Sequence, residues 1–194
     1  MAETSEERPP VRQKSPLREL LETLVLALLF ALVVRTFVAE VYQVSGSSMT
    51  NTLFDQQRVL VNKFVYRVLR EPQPGDIIVF RYPRQPEREF IKRVVAVAGD
   101  TVELRAGQVY VNGEPFPEAP TVRLSHGDFG PYEVPAESVF VLGDNRANSE
   151  DSRYFGQVPL TYIRGLAVAR IWPVSAVSGL GAPEANADSQ ADRQ

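Results

Sequence analysis

Apolar and polar positions divide the chain into four stretches. Residues 1–16 (MAETSEERPPVRQKSP) hold no aromatic residue and three prolines, a composition that buries too little surface to offset ordering and predicts a mobile tail. Leu24–Val34 then reads LVLALLFALVV, eleven apolar residues in succession. Extended to Leu20–Ala39, the window has only Glu22 and Arg35 charged, both near its ends. As a helix it reaches about 30 Å, the thickness of a bilayer core. A retained membrane span is expected over 19–38, with a cleaved signal segment and a buried soluble helix as alternatives; Arg35–Glu40 offers no small-x-small cleavage site.

The pattern changes after residue 39. Val59–Val61, Ile77–Phe80, Val94–Val97, Val109–Val111 and Val139–Leu142 are short β-branched or aromatic runs separated by Pro-Gly-Asp, Gly-Asp and Asn-Gly turns. Thr101–Gly113 reads as a hairpin followed by an Asn-Gly turn. The expectation is a mainly β, antiparallel domain over 39–174, followed by a small-residue, polar, disordered tail over 175–194.

Charge orients this plan. Arg8, Arg12, Lys14 and Arg18 crowd one flank of the apolar run, whereas only Arg35 precedes Arg58 on the other. Basic flanks stay in the cytoplasm, so 1–18 is expected inside and the β domain outside. With 21 basic and 24 acidic residues among 194, bulk nucleic-acid binding is disfavoured. The chain has no cysteine and one histidine, which excludes thiol nucleophiles and disulfides and argues against a histidine-rich metal centre; no metal or cofactor is expected.

Few nucleophile systems remain. His126 sits in the turn-like Ser125-His126-Gly127-Asp128, where a solvated loop histidine is the ordinary reading and a Ser-His-Asp triad the exceptional one. A lysine removed from water becomes a usable base, because burial disfavours the ammonium. In Phe90-Ile91-Lys92-Arg93-Val94-Val95, strand alternation places Lys92 on one face with Phe90 and Val94, and Arg93 on the other. Most strand lysines are merely exposed. The Gly-Ser turn Ser45-Gly46-Ser47-Ser48-Met49 supplies three candidate serines, and Gly143 through Arg153 is a loop of alternating charge fit to brace neighbouring strands.

In order and spacing these segments resemble bacterial type I signal peptidase, peptidase family S26: the apolar segment, Ser48-Met49 with Thr52-Leu53, Pro74-Gly75-Asp76 through Phe80, Phe90 through Arg93, Gly99-Asp100, and Gly143-Asp144-Asn145-Arg146-x-x-Ser149-x-Asp151-Ser152-Arg153. The resemblance implies a compact antiparallel β catalytic core and a Ser-Lys dyad, with Ser48 the nucleophile and Lys92 the general base. It implies that Ser149 hydrogen-bonds the lysine, and that Asp144, Arg146, Asp151 and Arg153 hold the site together. Tyr42, Val44, Met49, Leu53, Phe90 and Ile91 match substrate-pocket positions. The Ser48 N–H is the implied oxyanion donor; the position of a second, serine-borne donor is Gly46, and a proline three residues after the nucleophile is replaced by Asn51. Only 51 residues separate Lys92 from Asp144, too few for the large accessory β domain of some relatives.

The implied reaction is removal of signal peptides from exported preproteins after small residues of the Ala-x-Ala type. The implied partners are those signal peptides, the lipid bilayer and the secretion translocon, and the implied location is the bacterial plasma membrane, crossed once. Two other readings stand beside it. One is a related Ser-Lys processing peptidase; a LexA-like repressor would need a DNA-binding domain that 1–38 has no room for. The other is an inactive membrane-anchored β module that binds export substrates.

Overall fold

The computed structural model describes residues 15–50, 52–118 and 127–181. Asn51 and His126, the basic residues Arg8, Arg12 and Lys14, and the segment 182–194 lie outside the described residues.

Ser15 is extended and Pro16 follows it, so the first helix, α1 (Pro16–Val33), starts three residues before the expected span, where proline's fixed φ suits the first turn. The backbone continues as a π-helical turn through Val38. No residue of α1 is buried, and its leucines stand more than half exposed. An apolar face with no protein cover is what a bilayer-embedded helix presents.

The remaining chain is mainly antiparallel β. The strands in chain order are β1 (Ala39–Gln43), β2 (Arg58–Asn62), β3 (Ile77–Tyr82), β4 (Gln85–Val97), β5 (Thr101–Arg105), β6 (Gln108–Val111), β7 (Glu114–Pro115), β8 (Phe129–Glu133), β9 (Ser138–Leu142), β10 (Val158–Pro159), β11 (Ile163–Trp172) and β12 (Ser178–Gly179), with a one-turn helix α2 (Ser152–Phe155) after β9. The larger sheet runs β1-β2-β11-β3-β4-β9-β10, with β12 added to β11; the smaller runs β7-β6-β5-β8. The five expected β runs all fall in strands, and the expected hairpin is β5–β6. Asn112 and Gly113, both at positive φ, turn the chain from β6 into β7.

Residues 175–181, the first part of the expected disordered tail, are instead ordered. Ser178–Gly179 pair with Ala169 and Arg170, and Leu180 is buried against Val59, Val61 and Val79. A Ser-Gly strand has no hydrophobic alternation to announce it.

Three buried clusters organise the domain. One lies on the Val59, Val61, Val79 and Ala167 face of the larger sheet, one on the opposite face around Ile78, Phe80, Val94 and Val141, and one joins the smaller sheet to β4 and β9 through Val102, Val109 and Phe140. Gly165 allows β11 to approach β2, because a Cβ there would overlap the Asn62 carbonyl. Along β4, β3 pairs with one edge as far as Arg93, but β9 takes the other edge only from Arg93 onward. Among the described residues the Gln85–Lys92 edge is therefore left open, as is the outer edge of β1.

Candidate active site

Ser48 stands in the loop after β1. Gly46 adopts φ +90°, which glycine tolerates without strain, and Thr50 N–H closes a turn onto the Ser47 carbonyl at 3.1 Å. The turn is held from the facing loop. Asn145 N–H donates to the Ser48 carbonyl at 2.9 Å, Asn145 Nδ2 to the Ser47 carbonyl at 3.1 Å, and Asn148 Nδ2 to Ser47 Oγ at 2.7 Å. Gly143 fits only as glycine, since a Cβ would lie 2.5 Å from the Ser48 carbonyl oxygen and against Ser149.

Lys92 reaches this turn from β4. Its Nζ lies 2.7 Å from Ser48 Oγ and 3.1 Å from the Ile91 carbonyl, with the Phe90 ring centroid 5.0 Å away, and the residue is only 4% exposed. Burial pulls its pKa down from the ordinary 10.5 to about 8, against the opposing charges of Asp151, Glu150 and Asp144. Of the three candidate serines, Ser48 is the one whose Oγ bonds the lysine; Ser47 instead bonds Asn148.

Arg93, the next residue, turns to the other side, as alternation predicts. It grips Asp144 bidentately at 2.8 and 2.7 Å and donates to the Gly75 carbonyl at 2.9 Å, with Arg93 3% and Asp144 0% exposed. Thr52 Oγ1 donates to the same carboxylate at 2.5 Å. Arg146 is almost wholly buried; it bonds the Gly143 carbonyl and forms a two-point ion pair with Glu118 at 2.8 and 2.7 Å. Asp151 accepts from Gly143 N–H and from Arg153, whose guanidinium also reaches the Arg146 carbonyl. Asp144, Arg146, Asp151 and Arg153 are thus each matched by an opposite charge in place.

Some expected roles change. Ser149 Oγ is buried beside the site but has no hydrogen-bond partner among the described residues, so the implied bond to Lys92 is not formed here. Gly46 N–H donates to Asp55 Oδ1 at 2.8 Å and is not free for an oxyanion, whereas no acceptor among the described residues takes the Ser48 N–H. Met49 and Leu53, 1% and 0% exposed, lie in the core instead of lining a pocket.

A groove of about 310 Å³ runs past the pair, walled by Tyr42, Val44 and the 45–48 turn on one side and by Phe90, Ile91 and Lys92 on the other. Its floor includes Val59 and Val79, and Arg88, Asn148 and Glu150 stand at its rim. Sequence reasoning missed Arg93, Thr52, Glu118, Asn145 and Asn148 as site-building residues. Arg93 and Thr52 stood inside the matching segments; Glu118 carried no local signal.

Residues 17–172 match the signal peptidase family, peptidase S26. The chain is 42% identical over 177 residues to signal peptidase I of Leptolyngbya laminosa, covering 87% of this chain and 86% of that one. It is 38% identical over 152 residues to signal peptidase I P of Bacillus subtilis subsp. natto, covering 73% and 81%. A crystal structure of signal peptidase I from Enterococcus faecalis shares 34% identity and a TM-score of 0.44, covering 50% of this chain and 97% of that one. The class is a serine endopeptidase, a hydrolase. The chain belongs to the signal peptidase family, peptidase S26.

Proposed function

We propose that Ser48 and Lys92 form the dyad by which this signal peptidase removes signal peptides from exported preproteins. The observation that carries the reading is the 2.7 Å contact between Ser48 Oγ and a lysine nitrogen sequestered from water. Neutral Lys92 takes the proton of Ser48 as Oγ attacks the scissile carbonyl. The resulting ammonium then gives a proton to the leaving amine, and the lysine, neutral again, activates the water that hydrolyses the acyl-enzyme. The Ser48 N–H donates to the oxyanion, a contribution worth about 3–4 kcal/mol in other serine hydrolases.

The groove supports the substrate assignment. Open edges of β1 and of the first half of β4 flank it, so an extended peptide inserts as an added strand with its main chain paired. Its side chains then alternate into the shallow apolar space around Val44, Val59, Val79 and Ile91, which accepts alanine and rejects large residues by overlap. Asp144, Arg146, Asp151 and Arg153 hold the loop that fixes the Ser48 turn.

The anchor completes the reading. Residues 1–18 lie in the cytoplasm, 19–38 cross the plasma membrane with α1, and the peptidase domain from residue 39 faces outward, where preproteins leave the translocon within the same bilayer. Ser48→Ala and Lys92→Ala each abolish cleavage of an Ala-x-Ala preprotein, read by mass spectrometry, while the fold persists by circular dichroism. Lys92→Arg fails as well, since its guanidinium stays charged at working pH. Cleavage by any of the three sinks the dyad; a folded wild type that binds the preprotein without cutting it supports the binding-module reading.

A further inference from the structure

A second cavity, of about 560 Å³, adjoins the groove and shares Tyr42 and Glu89 with its wall. Its walls are charged. Lys63 pairs with Glu40 at 3.1 Å, and Arg164 pairs with Glu89 at 2.7 Å. Two cations are left over. Arg67 and Arg81 both line the cavity, and neither has a side-chain hydrogen bond or an ion pair among the described residues. Among the described residues Glu71 is the only other carboxylate in the wall, so the unmatched balance is one positive charge.

The cavity's position says what would supply an anion. Glu40 is two residues beyond the end of the helical segment at Val38. Lys63 ties the cavity wall to that segment, its N–H donating to the Val38 carbonyl at 2.8 Å and its Nζ to the Arg35 carbonyl at 3.2 Å. Around Arg67 the short helical turn Val65–Leu69 and its preceding residue expose Phe64, Val68 and Leu69 at 40%, 63% and 66%. Exposed apolar side chains bracketing an arginine, at the base of an apolar helix, match the composition of a bilayer interface, where the apolar groups enter the acyl layer and the cation meets headgroup phosphate.

We propose that the cavity lined by Arg67 and Arg81 binds the phosphate of an anionic phospholipid headgroup, seating the peptidase domain on the leaflet into which α1 leads. The site rests on the reading that α1 crosses the bilayer. Seating there sets the height of the groove above the membrane, where the residues upstream of a signal-peptide cleavage site emerge.

The test uses the full chain in neutral detergent and native mass spectrometry with phosphatidylglycerol, phosphatidylcholine or glycerol 3-phosphate added. Wild type retains phosphatidylglycerol about tenfold better than phosphatidylcholine, and the Arg67→Gln/Arg81→Gln double variant loses that preference. Arg67→Lys/Arg81→Lys keeps most of it, which separates charge from folding. Equal retention of the two lipids by wild type overturns the proposal, as does an unchanged preference in the glutamine variant. Displacement of phosphatidylglycerol by an equal concentration of glycerol 3-phosphate overturns the lipid source in favour of a soluble phosphate ligand. Preprotein cleavage by the same lipid-free samples stays unchanged in the glutamine variant; a raised KM assigns the cavity to the substrate's upstream residues instead. Failure of the dyad is read separately, as loss of cleavage in a wild type that still selects the anionic lipid.

Discussion

The pH profile of cleavage tests the lysine directly. With Lys92 near pKa 8, about a tenth of it is neutral at pH 7, about half at pH 8 and about nine-tenths at pH 9. Cleavage of an Ala-x-Ala preprotein in detergent, measured as kcat/KM, therefore rises about fivefold from pH 7 to pH 8 and less than twofold from pH 8 to pH 9. Glu150→Gln is the informative perturbation. The Glu150 charge holds the Lys92 pKa up, and its carboxylate accepts a hydrogen bond from the Tyr82 hydroxyl, which a glutamine oxygen can also accept. Removing only the charge disfavours the ammonium, so the midpoint moves to lower pH and the fraction of active enzyme at pH 7 grows. Because Glu150 stands at the groove rim, the amplitude can change with substrate fit, and the midpoint is the readout. A wild-type midpoint near the ordinary 10.5, a profile flat through pH 7 to 9, or an upward shift in Glu150→Gln refutes a buried lysine base.

Three other substitutions separate the supports of the site. Lys92→Met abolishes cleavage yet stabilises the fold at pH 7: the folded-state pKa lies below 10.5, so the native protein bears the full cost of a buried ammonium below about pH 8 and sheds it as the pH climbs to 10.5. That shift is worth about 3 kcal/mol, and the gap between Lys92→Met and wild type in urea unfolding should close over this window; a gap constant with pH contradicts it. Asp144→Asn strands the buried Arg93 guanidinium and lowers unfolding stability by about 3–5 kcal/mol, whereas a loss under 1 kcal/mol shows the pair to be dispensable. Gly143→Ala drives a methyl group against the Ser48 carbonyl and displaces the nucleophile's turn, so kcat falls at least about tenfold with the fold intact; wild-type kcat means that the loops part at no cost to the geometry.

The strands were legible because β-branched runs and Gly- or Pro-containing turns act locally: Val59–Val61 and Val139–Leu142 need no distant information to become strands. Pairings across the fold were not legible in the same way. Arg93 and Asp144 are 51 positions apart, and nothing in either neighbourhood names the other; their ion pair exists because β3, β4 and the loop after β9 meet. The family resemblance supplied Ser48 and Lys92, which the fold brings to 2.7 Å. It carried less well to Met49 and Leu53, whose side chains enter the core, and to Ser149, whose hydroxyl finds no donor or acceptor among the described residues. Apolar character alone does not distinguish a pocket wall from the layer beneath it.

The central device is the change of partner along β4. Up to Lys92 the strand has one neighbour and an open edge; from Arg93 it has two. In the proposed mechanism the open half lets an extended peptide lie alongside, and the closed half removes water from the strand where Lys92, the proposed general base, stands. Alternation then sends consecutive side chains to different tasks. Lys92 meets Ser48, and Arg93 meets Asp144, whose loop neighbour Asn145 holds the Ser48 carbonyl. Ser48 and Lys92 are thus fixed to one another twice, once through their own contact and once through Arg93, Asp144 and Asn145. A lysine base needs both features. Burial makes its neutral form accessible, and the second linkage holds Ser48 in place while its Oγ is acylated and has no proton to give Lys92.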